Sequence, residues 1–284
     1  MTIGEIYHLG KGRLAEAGNE SPAFDAACLI KWVFGLNRQQ LILRSGQAAG
    51  EEKKEEYIQM IEERASGRPL QYILGRWPFL NLELAVGEGV LIPREETELL
   101  VQTAADLLKK HLSPRIIDLC SGTGAVALGL ASLLPDSEIT AAELYGEAYA
   151  FLARNCEETG YENVTPLRLD ILDPKSAAHF CGLDGIVSNP PYVKEVELAG
   201  LQAEVKREPQ TALAGGADGL DFYRAIARLW IPGLKPGGIA AVEIGEGQAE
   251  DVRTLFEQAG LTEIGIYRDF NGIERVVVGI RKYI

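Results

Sequence analysis

The stretch GIVSNPPY, residues 185–192, indicates how this chain is folded. Gly185 to Ser188 form a short apolar run, which is typical of a buried strand. Pro190 and Pro191 must end that strand, because a proline has a fixed φ and cannot donate a hydrogen bond to a neighbouring strand. The strand therefore ends in a stiff corner at its carboxyl end, which is where open α/β sheets hold their ligands.

The groups at this corner indicate a neutral, hydrogen-bonding site. Asn189 offers an uncharged amide, Tyr192 offers an aromatic face, and the corner adds a run of backbone carbonyls. None of these groups is a strong acid, base or nucleophile, so they suit a planar, neutral ligand. A Pro-Pro turn that merely leaves a strand is the competing interpretation, since short motifs also occur by chance.

Strands and helices alternate from Pro114 onward, which predicts an α/β fold with a mostly parallel sheet and helices on both faces. Asn271-Gly272 is a hairpin signal between the last two strands, so the last strand should run antiparallel. The predicted strands are residues 115–119, 138–142, 164–169, 185–188, 239–244, 264–267 and 275–280. The predicted helices are residues 125–134, 147–159, 220–229 and 248–259.

The length of 284 residues suits two domains. Residues 1–69 are predicted to form a small helical domain. Residues 70–92 are expected to form a β-hairpin linker, with strands at 72–74 and 80–86. Residues 93–284 are assigned to the α/β domain, which begins with a helix that ends near His111.

Charge and cysteine content restrict the partners and the location. The net charge is -13 and the pI about 4.8, and the basic residues are scattered, so duplex DNA is a poor candidate ligand. The four cysteines show neither zinc-binding spacing nor a disulfide framework. With no signal peptide and no apolar run long enough to span a membrane, we expect a cytoplasmic protein that binds neither membranes nor nucleic acid directly.

Residues 118–124, Asp-Leu-Cys-Ser-Gly-Thr-Gly, lead from a predicted strand into a predicted helix. Gly122 and Gly124 permit a tight turn and a close approach of the backbone to a ligand. Glu143 ends the next strand, where a carboxylate can accept both hydroxyls of an adenosine ribose. These features fit a nicotinamide or flavin enzyme as well as an enzyme that uses S-adenosylmethionine.

Two observations favour S-adenosylmethionine. Asp118 precedes the glycines, where its carboxylate could meet the charged amino acid end of that cofactor. The fourth predicted strand of the α/β domain ends in the corner Asn189-Pro190-Pro191-Tyr192, called the Asn189 corner below. A hydride-transfer enzyme has no evident need for this corner. Asp118 could instead cap a helix or turn.

The long segment of residues 193–217, which follows the corner, is interpreted as a lid or substrate-recognition loop, with an ordinary surface excursion as the alternative.

Taken together, these motifs resemble the peptide chain release factor N5-glutamine methyltransferases. The resemblance covers nearly the whole chain, and the helical N-terminal part more loosely. Besides residues 118–124 and the Asn189 corner, it is carried by residues 90–98, 208–213, 215–223, 234–238, 243–245 and 268–275. It implies a Rossmann-like class I methyltransferase sheet that uses S-adenosylmethionine and yields S-adenosylhomocysteine.

The resemblance also implies a substrate and a set of site residues. The substrate would be the glutamine of the Gly-Gly-Gln motif of release factors, methylated for translation termination, and the N-terminal helices would help to dock the factor. We separately expect the protein to be a monomer. The cofactor would be held by Asp118, Cys120, Ser121, Gly122, Thr123, Gly124, Glu143, Asp170, Ile171 and Asn189. The substrate would be held by Asn189, Pro190, Pro191 and Tyr192, with Asn189, Pro190 and Tyr192 as the catalytic residues.

The sequence departs from the family pattern at three of its positions. Cys120 stands at the first glycine position of the loop, Glu95 stands where a proline is common, and Ile171 stands where relatives can carry an aromatic residue. At Ile171 we expect apolar packing against the adenine in place of stacking. None of these departures removes a group that the chemistry requires.

Four alternatives remain open at the level of sequence. A ribosomal-protein glutamine methyltransferase differs only in its substrate. A DNA or RNA adenine N6-methyltransferase could use the same corner, although the acidic charge counts against it. A non-catalytic binding module could keep the fold, and a dinucleotide oxidoreductase could use the same glycine loop.

Overall fold

The computed structural model describes residues 1–282. The chain forms two compact units. Unit 1 contains Met1–Arg76 together with the short segment Ala203–Arg207, and unit 2 contains Trp77–Gln202 and the chain from Glu208 onward. No helix in the described range is both long enough and apolar enough to pass through a bilayer.

Unit 1 is helical, as predicted. A capping box at Thr2 starts its first helix, and Gly35 ends the second helix in a left-handed conformation. The buried guanidinium of Arg64 binds Asp25 at 2.6 Å and also binds Glu204 of the segment Ala203–Arg207. The helices are α1 Ile3–Glu16, α2 Pro22–Phe34, α3 Arg38–Leu43, α4 Glu51–Ala65 and α5 Leu70–Leu74.

Unit 2 is built on a seven-stranded sheet within the described residues. Two strands before it, β1 Arg76–Phe79 and β2 Leu82–Ala85, form a separate hairpin. The strands of the sheet are β3 Arg115–Leu119, β4 Glu138–Glu143, β5 Val164–Arg168, β6 Leu183–Ser188, β7 Leu234–Glu243, β8 Leu261–Arg268 and β9 Glu274–Arg281.

The order of the strands is β5-β4-β3-β6-β7-β9-β8. The pairings from β5 to β7 are parallel, whereas β9 runs antiparallel to both β7 and β8. This confirms the predicted fold class and the antiparallel last strand. The chain leaves β3 towards β4 on one side and later returns to the other side as β6, so the order reverses between β3 and β6. Open α/β sheets bind ligands in the crevice at such a reversal.

Successive residues of the central strands point to opposite faces of the sheet. Ile116 packs with Leu100 and Leu128 on one face, and Ile117 packs with Trp230 on the other. Both faces are therefore covered, as the apolar runs predict. The helices are α6 Glu96–Leu108, α7 Ala125–Leu133, α8 Gly146–Thr159, α9 Pro174–Ala177, α10 Asp221–Ala225, which continues into a π turn at Ile226–Trp230, and α11 Ala249–Gln258.

One predicted strand is wrong. Residues 72–74 lie in helix α5, and the first hairpin strand begins at Arg76. A short apolar run does not distinguish strand from helix, and here Gly75 ends a single helical turn in the left-handed conformation (φ 71°). The sequence prediction also missed α9, and it extended α6 to near His111, whereas the helix ends at Leu108. The domain boundaries and the linker role of the hairpin stay predictions.

The segment of residues 193–217 contains three short 3₁₀ turns, Glu195–Gly200, Val205–Arg207 and Gln210–Ala212. Its two ends pair with each other: the Val193 N–H donates to Leu213 O at 2.8 Å, and the Gly215 N–H donates to Val193 O at 2.8 Å. The loop is therefore closed at its base. Its action as a lid or substrate-recognition loop stays a prediction.

Asn155 of α8 connects the β1–β2 hairpin to the loop after β3. Its Nδ2 donates to Ala85 O at 3.0 Å and to Thr123 O at 2.9 Å, while its Oδ1 accepts from the Ala85 N–H at 2.7 Å. The side chain is 1% exposed, so water cannot replace these bonds.

We expect Asn155→Ala to lower the free energy of unfolding of unit 2 by roughly 1–3 kcal/mol, because the buried Ala85 N–H loses its acceptor. Urea unfolding followed by circular dichroism measures the change. Glu157→Ala on the exposed face of the same helix is the matched control and should have little effect. Equal stability of the two variants would contradict this role of Asn155.

Candidate active site

A cavity of about 280 Å³ lies at the carboxyl ends of β3, β4, β5 and β6. Each of these strands contributes the loop that follows it. The rest of the wall includes Phe222 and most residues of the stretches 89–97 and 209–212. The predicted site residues that line the cavity are Cys120, Ser121, Gly122, Thr123, Glu143, Asp170, Ile171, Asn189 and Pro191.

The loop after β3 reverses sharply beneath the cavity. Cys120, Gly122 and Gly124 have φ values of 62°, 55° and 84°. Gly122 and Gly124 adopt this left-handed conformation without a steric penalty, whereas the Cβ of Cys120 makes it strained. The Gly124 N–H donates to Ser121 O at 2.7 Å and closes the turn just before α7 begins.

Glu143, the last residue of β4, joins two loops of the cavity wall. Its Oε2 accepts from the Gly122 N–H at 2.9 Å, and its Oε1 accepts from the Tyr145 N–H at 2.9 Å. The carboxylate thus ties the loop after β3 to the loop after β4. Each carboxylate oxygen has two lone pairs, so each can accept a further bond from a ligand hydroxyl.

Asp118 lies under the loop and is absent from the cavity wall among the described residues. Its Oδ2 accepts from the Ser121 hydroxyl at 2.7 Å and from the Ala127 N–H in the first turn of α7 at 3.2 Å. Its Oδ1 is buried and has no hydrogen-bond partner in residues 1–282. Asp118 therefore caps α7, and its predicted contact with a cofactor stays a prediction.

The loop after β5 adds apolar side chains to the wall. Ile171 is 4% exposed, and its carbonyl accepts from Trp230 Nε1 at 2.9 Å. Asp170 Oδ1 accepts from the Leu172 N–H at 2.8 Å, which holds the turn. Leu169 and Leu172 also line the cavity, so this wall offers the apolar packing that we expect for an adenine ring.

Asn189 is half-buried at the end of β6, and its amide is held in one orientation. Its Nδ2 donates to Thr97 Oγ1 at 3.1 Å, and the Thr97 hydroxyl donates to Glu243 Oε2 at 2.6 Å. In the described part of the chain no donor bonds Asn189 Oδ1. Because Asn189 lines the cavity, its carbonyl oxygen is the acceptor that remains for a ligand.

The rest of the corner packs behind Asn189. Pro190 and Pro191 are buried, and Tyr192 is half-buried, with its hydroxyl donating to Glu243 Oε1 at 3.3 Å. A Cβ at Gly215 would lie 2.7 Å from the Tyr192 Cα, so only glycine permits this approach. Among the predicted site residues, all within residues 1–282, the cavity wall omits Gly124, Pro190 and Tyr192 as well as Asp118.

Sequence reasoning gave no role to Thr97 or Glu243, although both lie in stretches that carried the family resemblance. The available signal was an acidic residue at the end of an otherwise apolar strand, residues 239–244. Sequence reasoning also missed several residues of the cavity wall, among them Tyr145, Ala148, Pro209, Thr211 and Phe222.

Comparison with known families divides the chain into two matched parts. Residues 5–75 match the model of the PrmC N-terminal domain, and residues 95–214 match the model of the methyltransferase small domain. The second part contains the loop after β3, Glu143 and the Asn189 corner. The cavity therefore lies mainly in a methyltransferase domain.

Curated relatives match over nearly the whole chain. The release factor glutamine methyltransferase of Geobacter sulfurreducens is 37% identical, over 98% of this chain and 96% of the relative. The enzyme of the same name from Moorella thermoacetica is 35% identical, over 99% of each chain. The chain belongs to the release factor glutamine methyltransferase family. The resemblance inferred from the motifs is thereby confirmed.

The fold of this family member is also found among distant structures. The hMettl16 catalytic domain, crystallised with the MAT2A 3'UTR hairpin 1, superposes with a TM-score of 0.57 at 13% identity, over 92% of this chain and 91% of that chain. At this identity the similarity concerns the fold alone. It agrees with the class I methyltransferase sheet.

Because Asp118 is buried, we expect the stability of this protein to depend on pH in an unusual way. Burial is the main reason that the pKa of its carboxyl rises from 3.8 to about 7, against the lowering effect of the bonds from Ser121 and Ala127. Because the folded pKa lies above the unfolded one, Asp118 contributes stability below about pH 4 that is lost as the pH rises to about 7.

We expect Asp118→Asn to become more stable relative to the parent protein as the pH rises from 5 to 8, by an amount on the order of a few kcal/mol. Thermal unfolding at each pH measures the difference. Asp136→Asn on an exposed turn is the control and should show no such trend. A stability difference that stays constant from pH 5 to 8 would contradict the raised pKa.

Proposed function

We propose that this protein transfers a methyl group from S-adenosylmethionine to the side-chain amide nitrogen of the glutamine in the Gly-Gly-Gln motif of peptide chain release factors. The observation that carries the proposal is the held amide of Asn189, which presents an acceptor to the cavity. Membership of the release factor glutamine methyltransferase family names the matching substrate. The product of the cofactor is S-adenosylhomocysteine.

The residues of the cavity fit S-adenosylmethionine. The turn at Cys120–Gly124 lets the backbone approach a ligand closely, and Glu143 keeps lone pairs for the ribose hydroxyls. Ile171 and its neighbours supply an apolar surface for the adenine. When bound, the cofactor supplies an electrophilic methyl group on a positively charged sulfur.

The enzyme contributes mainly by positioning the substrate. An amide nitrogen is a weak nucleophile, because its lone pair is delocalised. Asn189 Oδ1 and the Pro190 carbonyl each accept one N–H of the substrate amide, which orients the nitrogen and raises its electron density. Tyr192 keeps the amide plane in place. Such positioning supplies on the order of 7–11 kcal/mol in favourable cases.

Fixed dipoles supply the remaining stabilisation. Positive charge develops on the nitrogen during transfer, and in this proposal the Asn189 and Pro190 oxygens face it as preorganised acceptors. Because the product amide is neutral, one amide proton is released to water after the transfer. The corner itself contains no strong base, which agrees with a reaction that depends on orientation.

The acidic surface favours a protein substrate over a nucleic acid. With a net charge of -13, the protein repels phosphate backbones, so methylation of an adenine amine is disfavoured. The release factor, the docking role of the N-terminal helices and the cytoplasmic location are parts of this proposal. The monomeric state stays a prediction.

The decisive experiment measures transfer of a labelled methyl group from S-adenosylmethionine to a purified release factor. We expect labelling that disappears when the glutamine of the Gly-Gly-Gln motif is replaced. Asn189→Ala should lower kcat by at least about a hundredfold, the cost of one lost preorganised hydrogen-bonding group, while the cofactor still binds. Asn271→Ala in the exposed terminal turn is the control. If the release factor is still labelled after its Gly-Gly-Gln glutamine has been replaced, the substrate assignment is wrong.

The cofactor assignment has its own test at Glu143. We expect Glu143→Gln to weaken binding of S-adenosylhomocysteine at least about tenfold, because a charge-assisted hydrogen bond contributes roughly 1.5–3 kcal/mol. Isothermal titration calorimetry measures the affinity. Glu138→Gln, at the exposed opposite end of β4, is the control and should bind as the parent does. Unchanged affinity in Glu143→Gln would exclude Glu143 from the cofactor site.

A further inference from the structure

Glu243 is a buried carboxylate at the end of β7. It is 2% exposed, and within residues 1–282 no lysine or arginine forms an ion pair with it. An unpaired buried carboxylate costs free energy, so its retention needs an explanation. Among residues 1–282, its two oxygens accept from just two donors, the hydroxyls of Thr97 and Tyr192.

The sheet places Glu243 beside the Asn189 corner. Ser188 of β6 pairs with Val242 of β7 in parallel register, so Asn189, the first residue after β6, lies beside Glu243, the last residue of β7. Thr97 of α6 bridges the two: its hydroxyl lies 3.1 Å from Asn189 Nδ2 and 2.6 Å from Glu243 Oε2. Asn189, Thr97 and Glu243 thus form a continuous chain of hydrogen bonds.

The direction of this chain depends on the charge of Glu243. An ionised carboxylate only accepts, so the single hydrogen of the Thr97 hydroxyl must point towards Glu243. Thr97 then offers only lone pairs to Asn189, which must present its NH₂ group to Thr97 and its Oδ1 to the cavity. A protonated Glu243 can instead donate to Thr97, which allows Thr97 to donate to a flipped Asn189.

We infer that Glu243 is a positioning residue, and that its negative charge, relayed through the Thr97 hydroxyl, fixes which end of the Asn189 amide faces the cavity. This inference deepens the proposed function, on which its catalytic consequence rests. In the flipped state the Asn189 NH₂ group would face the substrate amide, and two donors would meet. Tyr192 shares the same carboxylate, so one charge holds two of the groups at the corner.

The charge of Glu243 changes within the physiological pH range. Burial is the main cause that raises the pKa of its carboxyl from 4.5 to about 7. The hydrogen bonds from Thr97 and Tyr192 act against burial and lower this pKa. The nearby charge of Glu96 on α6 raises the pKa, and that of Arg275 on β9 lowers it. Tyr223 of α10 donates to the backbone carbonyl of Glu243 at 2.9 Å, and burial raises the pKa of its phenol well above the usual range. Glu243 is therefore ionised above about pH 7, so the competent orientation of Asn189 is gained as the pH rises.

The side-chain NH₂ signals of Asn189 in the ¹⁵N-labelled full-length protein test the inference directly. Loss of these signals in Asn189→Ala assigns them. We expect them to shift between pH 6 and 8.5 with a midpoint near 7. The shift should vanish in Glu243→Gln and Thr97→Val but persist in Thr97→Ser, which keeps the hydroxyl. Thr103→Val, a buried threonine on the same helix, is the control for folding and should also keep the shift.

Kinetics add the catalytic consequence. At pH 8 we expect Glu243→Gln to lower kcat for release factor methylation at least about tenfold, the equivalent of one hydrogen bond, with the affinity for S-adenosylhomocysteine unchanged. The rise of kcat near pH 7 should be absent in this variant.

The two measurements separate the two proposals. If the parent protein methylates no release factor, the proposed function fails, and the Asn189 signals still decide the inference. If the signals do not titrate in the parent protein, or titrate equally in Glu243→Gln, the inference is overturned even when methylation occurs. The Thr97→Val and Thr97→Ser pair decides the question if Glu243→Gln does not fold.

Discussion

The parallel pairing of β6 with β3 on one side and with β7 on the other is the constraint on which the site depends. Leu119 pairs with Ser188, and Ser188 pairs with Val242. The three strands therefore end at the same level, and the turn at residues 120–124, Asn189 and Glu243 emerge side by side. Because the strand order reverses between β3 and β6, a crevice opens where these groups meet.

Two buried carboxylates make this arrangement rigid at a cost in stability. Asp118 caps α7 and holds Ser121, and Glu243 holds Thr97 and Tyr192. Burial raises the pKa of both groups to about 7, and neither forms an ion pair in the described residues. The fold thus tolerates two buried carboxylates directly behind the groups that would touch cofactor and substrate. Groups held fixed at this place need no rearrangement during the reaction.

Much of the fold was predictable because its signals are local. Strand β3 was predicted with its observed bounds, and Gly122 and Gly124 indicated the tight turn that follows it. The prediction failed at residues 72–74, where the apolar run is too short for its period to be measured, and the left-handed cap at Gly75 ended a helical turn instead. It also missed α9, which has a single turn.

By itself, the sequence determined the α/β fold class, the cofactor-type turn and the neutral character of the Asn189 corner, since each depends on neighbouring residues. Only the tertiary structure decided which distant groups act together. Thr97 lies 92 positions from Asn189 and 146 positions from Glu243, and no local pattern links them. It also decided that Asp118 faces α7, because the direction of a side chain depends on the elements that pack around it. Hydrogen bonds across strand ends and helices form only in the folded chain, so the orientation of Asn189 is a property of the fold.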